Sequence, residues 1–350
     1  MKILTTPLSR TILFFFLFFG ISRPFYGQIK SLNGENINPA GIDNFLKIQM
    51  DSLKIPGLSI AVIQDGKIVF SRALGLKNIE KKDSVDFNTL FEAASMTKPV
   101  FAYTVIKLSQ KHIIDLDTPL YKYYPYEDID QDDRYKLITA RMVLSHTSGF
   151  PNWRGGGGSE LTINFDPGTK YSYSGEGYEY LGLVIKHLTG KKLQDIIRDE
   201  VFAPLNIQNA YFIENDYLKE HMATGHTDNK VGNRGIMMRE HMAYGLHIEA
   251  KEYAKFIIAL KHESDLQEGI FKTMSLPQIE VEPKKTMGLG IFIEDTPFGI
   301  KYSHGGNNGN QFNSNFEFYK DHGIGYVYFM NCNKGPQFTK KFDEFLANAK

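Results

Sequence analysis

The strand signals of this chain sit at its two ends, and that separation constrains its fold more than any other feature. Near the start, residues 57–63 and 67–71 are apolar runs around Gln64-Asp65-Gly66, which predicts a hairpin. Near the end, 287–293, 300–303, 310–318 and 324–330 are short strand-like runs separated by Gly, Asn and Asp turns. Helical spacing covers 42–53 and 338–349, and the pattern from 113 to 275 is mostly helical with long polar connections. Strands first and last with helices between predict an α+β fold, an antiparallel sheet flanked by helices with an inserted mainly helical lobe. The sheet lobe is expected from 36–112 and 276–350 and the helical lobe from 113–275, with a ligand cleft where they meet.

Composition narrows the partners. With 350 residues, 42% of them hydrophobic, the chain can bury a large core. Forty Lys and Arg against forty Asp and Glu give a net charge of zero, so no bulk field draws nucleic acid or an anionic membrane. Lys2 and Arg10 precede an apolar run over 11–21 that is too short for a bilayer span. It is read as a signal peptide over 1–27, with an uncleaved anchor as the alternative; cleavage would leave 28–350 as a periplasmic or secreted domain with no stable membrane span. Cys332 is the single cysteine, so no internal disulfide is expected, and it is read as a buried, inert thiol.

The segment Phe91-Glu-Ala-Ala-Ser95-Met-Thr-Lys98-Pro99 puts a serine and a lysine three residues apart at the mouth of a helix. Such a pair shares one helix face, so Lys98 can reach Ser95. The spacing by itself usually marks a solvated face. Here Ala93 and Ala94 are small, and Phe101, Val105 and Leu108 predict a buried helix face. Burial favours the neutral, basic form of the lysine, and a serine hydroxyl becomes a nucleophile only when a base takes its proton.

Further along, Tyr173 follows a Pro167-Gly168 turn, with a helix expected to begin near Tyr178. A phenol beside a lysine suits proton relay, although a packing role is its plain alternative. The run Tyr302-Ser303-His304-Gly305-Gly306-Asn307 ends a strand, and its glycines let the backbone pass close to a ligand. His304 is expected to hold a substrate carboxylate or polarise the site, and the N–H of Asn307 to join that of Ser95 as an oxyanion hole. Trp153 and Arg154, followed by four glycines at 155–158, are read as a rim that contacts substrate. In Leu144-Ser-His-Thr-Ser-Gly149, Gly149 is the expected residue past a helix end and His146 a structural histidine. His221, His226, His241 and His247 lack metal-ligand spacing, and no phosphate or dinucleotide fingerprint occurs, so the chemistry needs no metal or cofactor.

These segments, in this order, resemble the class C β-lactamase-related serine hydrolases of the serine β-lactamase and penicillin-binding-protein-like superfamily. The resemblance runs from Pro56-Gly-Leu-Ser-Ile-Ala-Val through the Ser95 segment, Leu144 to Gly149, Pro167-Gly and Tyr173-Ser-Gly, to His304-Gly-Gly. It implies the two-lobed fold and acyl-enzyme catalysis, with Ser95 as nucleophile, Lys98 and Tyr173 as proton carriers, and His304, Gly305 and Gly306 along the strand beside the site.

Two departures bear on substrate. The family's second motif usually ends in Asn where this chain has Gly175, and the third has His304 where antibiotic-destroying members carry Lys. A neutral imidazole is a weaker partner than an ammonium for a carboxylate. The expectation is an exported serine hydrolase cleaving an ester or amide bond of a small-molecule or peptide acyl substrate, D-amino-acid peptides included. The alternatives are a β-lactamase or D,D-peptidase (penicillin-binding protein), and a non-catalytic protein that only captures acyl ligands.

Overall fold

The computed structural model describes residues 29–155, 159–266 and 269–348. The leader read over 1–27 and the glycines 156–158 lie outside the described residues. Among the described residues no helix is long and apolar enough to cross a membrane.

The expected hairpin forms and runs further than its sequence pattern. Strand β1 (Gly57–Gln64) turns at Asp65 and Gly66, whose φ values are 49° and 72°, into β2 (Lys67–Asn78). After β3 (Asp83–Ser84) come β4 (Phe91–Glu92) and β5 (His247–Ile248), which pair with each other. The last set comprises β6 (Ile279–Glu282), β7 (Lys285–Met287), β8 (Phe292–Thr296), β9 (Gly299–Asn308), β10 (Phe312–Tyr319) and β11 (Ile324–Met330). One nine-stranded sheet holds β6-β7-β8-β9-β10-β11-β1-β2-β3 in that order, each neighbouring pair antiparallel. Its seam is β11 against β1, with Tyr328 opposite Ile60, where late and early segments of the chain meet.

The helices that cover the sheet or carry the site are α1 (Pro39–Leu53), α2 (Thr97–Gln110), α3 (Ala140–Leu144), α4 (Gly175–Thr189), α5 (Ala250–Leu266) and α6 (Gly335–Asn348). Successive side chains of β1 point to opposite faces, and both faces are covered. Leu58, Ile60 and Val62 join Tyr326 and Tyr328 under Ile42 and Leu46 of α1 and Phe338, Phe342 and Leu346 of α6. Ala61 and Ile63 belong to the other layer, with Val327 and Phe329 packed among Phe101 and Val105 of α2 and Tyr253 and Phe256 of α5.

Three expectations need correction. The run 287–293 is not one strand, because β7 stops at Met287 and β8 starts at Phe292. The amides between them bond elsewhere: Leu289 N–H to Met274 O at 2.8 Å and Gly290 N–H to Leu144 O at 2.9 Å. Helix α4 starts three residues before Tyr178, since Ser174 is its N-cap and accepts the Gly177 amide at 3.0 Å. The left-handed residue that ends α3 is His146, at φ 58°, not Gly149. His146 N–H bonds Val143 O at 3.1 Å and Thr147 N–H bonds Met142 O at 2.8 Å, a Schellman closure.

One acidic cluster lies between the sheet and α6. Asp343 accepts the Tyr326 hydroxyl at 2.8 Å, and Lys301 lies 3.1 Å from Glu294 and 3.4 Å from Glu317. Burial, together with the Glu317 charge, raises the Asp343 carboxyl well above the usual carboxylate range. An acid whose folded pKa exceeds its unfolded value loses stability as pH rises between the two, because only the unfolded chain ionises freely. Asp343→Asn removes that ionisation. Calorimetry is expected to give a Tm above the parent by about 2–4 °C at pH 8, with the gap closing toward pH 5. A gap that does not change with pH would refute the buried-acid reading.

Candidate active site

The segment after β4 makes a sharp turn that sets Ser95 at the entrance of α2. Ala94, immediately before it, holds φ 50°, a left-handed conformation that costs a non-glycine residue about 1–2 kcal/mol. The neighbours enforce it. Ser314 of β10 donates to Ala93 O at 2.7 Å, Thr97 Oγ1 donates to Ala94 O at 2.7 Å, and Ala93 N–H reaches Leu246 O at 2.8 Å. Gly306 of β9 lies so close that a Cβ there would stand 2.6 Å from Ala93 O and 3.0 Å from the Ala94 Cβ. Ser95 itself stays partly open to solvent while its neighbours are buried.

Lys98, in the first turn of α2, has no exposed surface. Its Nζ donates to Ala243 O at 2.7 Å and lies 3.2 Å from Ser95 Oγ. Two aromatic faces flank the amine, with ring centroids at 4.7 Å (Tyr173) and 5.4 Å (Tyr178). Burial brings its pKa down to about 7, against a smaller upward pull from Glu179.

Tyr173 is half-buried with its hydroxyl shielded from solvent, and that hydroxyl faces Ser95 without closing a full hydrogen bond. Burial raises its pKa, with Ser95 pulling weakly the other way, so the phenol keeps its proton at neutral pH. His146 stacks on its ring at 4.1 Å and accepts the Ser174 amide on Nδ1 at 3.0 Å. That bond fixes the proton on Nε2, and burial holds the imidazole well below its ordinary pKa. His146 therefore braces the tyrosine and caps α3 at once.

Strand β9 forms the opposite wall. The His304 ring sits between Phe292, at 5.6 Å, and Tyr173, at 6.1 Å, and its Nδ1 donates to Gly305 O at 2.8 Å. Burial, aided by the Lys98 charge, lowers its pKa to about 3, so the ring is neutral. Gly305 is exposed and Gly306 half-buried. Asn307 is exposed, and its side chain is spent on the turn into β10, with Oδ1 accepting the Asn310 amide at 3.0 Å.

Trp153 lies over the start of α4. A Cβ at position 175 would come within 2.5 Å of its Cη2, so the indole fills the space that a side chain at Gly175 would take. Its other edge meets the Tyr244 ring at 5.3 Å and 90°. The expectation that Arg154 faces substrate is not met, because its guanidinium is bound to Glu176, Asp128 and the Tyr126 hydroxyl at 2.6–3.0 Å. Only the indole remains for the rim.

Sequence reading missed two supports. Glu92, fully buried, binds Arg234 at 2.9 Å and the amide of Asn308, tying the loop after 231 and the end of β9 to the strand before Ser95. Glu179 and His241 also lie behind Lys98, and no motif spacing links them to it in the sequence. Among the described residues no cluster of three or more His, Cys, Asp or Glu is arranged to hold a metal.

A family model described as Beta-lactamase matches residues 42–349. Protein flp of Staphylococcus aureus (strain MW2) is 27% identical over 203 residues, 53% of this chain and 40% of that protein. Penicillin-binding protein 4* of Bacillus subtilis (strain 168) is 25% identical over 166 residues, 42% of this chain and 36% of that protein. The chain thus spans well under half the length of these relatives. In fold it is similar to an octameric penicillin-binding protein homologue from Pyrococcus abyssi, with TM-score 0.76 and 19% identity, over 89% of this chain and 77% of that one. It is likewise similar to the crystal structure of SurE, with TM-score 0.72 and 22% identity, over 88% and 75% of the two chains.

The chain has one tryptophan, so the packing of Trp153 on Gly175 can be read directly by fluorescence. Gly175→Ala is expected to push the indole outward and shift its emission to the red. An unchanged spectrum in the folded variant would show that the contact does not constrain position 175.

Proposed function

The chain belongs to the beta-lactamase family, within the superfamily of serine β-lactamases and penicillin-binding-protein-like enzymes whose members are generally serine hydrolases, and from this premise we propose that it hydrolyses ester or amide bonds through an acyl-enzyme at Ser95. The observation that carries the reading is the buried Lys98 amine, 3.2 Å from Ser95 Oγ and half neutral near pH 7. In the reaction Ser95 Oγ attacks the substrate carbonyl carbon and its proton passes to Lys98. The backbone N–H groups of Ser95 and Asn307 receive the developing oxyanion. Tyr173, which stays protonated, gives its proton to the leaving group and regains one from Lys98. Water then attacks the ester at Ser95 and frees the acid. With the leader over 1–27, the enzyme acts in the periplasm or outside the cell.

Two observations favour an ester or a D-amino-acid amide over a β-lactam. His304 is neutral and buried, so it offers no cation to a carboxylate beside the reacting bond. Trp153 fills the space above Gly175, so that position presents an indole edge and no amide. A D,D-peptidase or β-lactamase uses the same three residues and differs in which substrate turns over. A panel of a p-nitrophenyl ester, a D-alanyl amide and nitrocefin separates these outcomes, with the highest kcat/KM expected for the ester or the D-alanyl amide. A burst of one equivalent with no turnover on any of them would instead support a protein that only captures acyl ligands.

Ser95→Ala is expected to abolish labelling by a fluorophosphonate probe, and Lys98→Ala to lower kcat/KM by about 10³-fold or more. Because the base is the neutral amine, kcat/KM of the parent should rise with pH along a limb centred near 7. Undiminished labelling of Ser95→Ala would overturn the assignment.

A further inference from the structure

We propose that Glu179 is a positioning residue for Lys98, acting through hydrogen bonds that run across Ala243. The inference rests on Lys98 being the base for Ser95. Helix α4 presents two neighbouring residues to opposite sides. Tyr178 turns inward, its ring 5.4 Å from the lysine amine, while Glu179 turns toward the segment 241–243. Glu179 Oε1 accepts the Ala243 N–H at 3.1 Å, and Ala243 O accepts from Lys98 Nζ at 2.7 Å. Its Oε2 accepts from His241 Nδ1 at 3.0 Å, and His241 Nε2 lies 3.2 Å from Arg239 Nε. An arginine Nε only donates, so His241 carries its proton on Nδ1 and acts as a neutral donor to the carboxylate. The chain of bonds runs Arg239, His241, Glu179, Ala243, Lys98, Ser95.

This arrangement acts on the base in two ways. A neutral amine has two protons and one lone pair. By fixing where Ala243 O takes one of those protons, Glu179 determines which way the lone pair faces. Its charge acts as well. Tyr173, Tyr178, His146 and His304 surround Lys98, and the two imidazoles are held neutral by burial, so Glu179 is the anion that opposes desolvation of the ammonium. Around Glu179 itself stand His241, Arg239 and the Tyr244 ring, which stacks on His241 at 4.6 Å, while nearby Arg154 is committed to Glu176 and Asp128. The carboxylate lines a groove of about 920 Å³ that Trp153 and Tyr244 also line, and its side chain is 24% exposed. It can therefore be neutralised without stranding a buried charge.

The test is the pH dependence of kcat/KM on a p-nitrophenyl ester for the parent, Ser95→Ala, Glu179→Gln and Glu179→Met. Glutamine keeps an oxygen for the Ala243 amide and removes the charge. Without that charge the Lys98 pKa falls, so the neutral amine persists in more acid solution. The acid limb of Glu179→Gln is expected to move to lower pH by about half to one unit, and that of Glu179→Met in the same direction with a lower plateau. The Met variant serves if Gln does not fold, because methionine is a good helix former. A limb unmoved or moved to higher pH in the folded variants overturns the role of Glu179. Should Ser95→Ala keep its activity, it is the assignment of the base and nucleophile that fails.

Discussion

Everything in this site follows from the complete burial of one amine. An ammonium withdrawn from water is costly unless it is paired, and the protein resolves that cost by lowering the Lys98 pKa to about 7 rather than by placing a carboxylate on it. Its contacts are a carbonyl oxygen, two tyrosine faces and the serine hydroxyl. A direct carboxylate partner would have kept the lysine charged and unable to accept a proton. The neutral rings of His146 and His304 serve the same end, since neither adds a charge beside the amine.

Such an amine has to be held by parts of the chain that are far apart in sequence, and the sheet provides the frame. With β11 seated against β1, strands β9 and β10 run past the turn that carries Ser95, and Ser314 and Gly306 bind and crowd that turn into the left-handed conformation of Ala94. The strain is local. Its supports are spread over β10, the Leu246 carbonyl and the buried Glu92 with Arg234 and Asn308. A charge buried as fully as Glu92 is sustained only by such partners, so the same contacts that satisfy it also fix the loop after 231 against the site.

How much of this was legible in the sequence depended on the range of the interaction. Asp65-Gly66 announced the hairpin because a two-residue turn at positive φ is a local demand, and Ser95 with Lys98 was visible because one helical turn joins them. The sequence misleads where distant backbone groups decide. The break inside 287–293 depends on Met274 and Leu144 carbonyls, and the left-handed end of α3 went to His146 although Gly149 looked better suited. That choice has a reason in space, because the same residue must stack on Tyr173 and accept the Ser174 amide. Glu179 and His241 left no signal, being 62 positions apart and joined only through folded contacts.

The two departures from the family's usual motifs both leave uncharged aromatic groups at their positions. Removing the side chain at 175 makes room for the Trp153 indole, and Trp153 with Tyr244 turns that side of the cleft aromatic. Across the cleft, His304 lies against Phe292 and gives up its charge to burial. Neither position offers a charge, while Ser95, Lys98 and Tyr173 stay together. Binding energy in such a cleft comes from apolar area, at about 25 cal/mol per Å² removed from water, and not from pairing a fixed anion. Between neutral walls, discrimination among ligands rests on shape more than on charge.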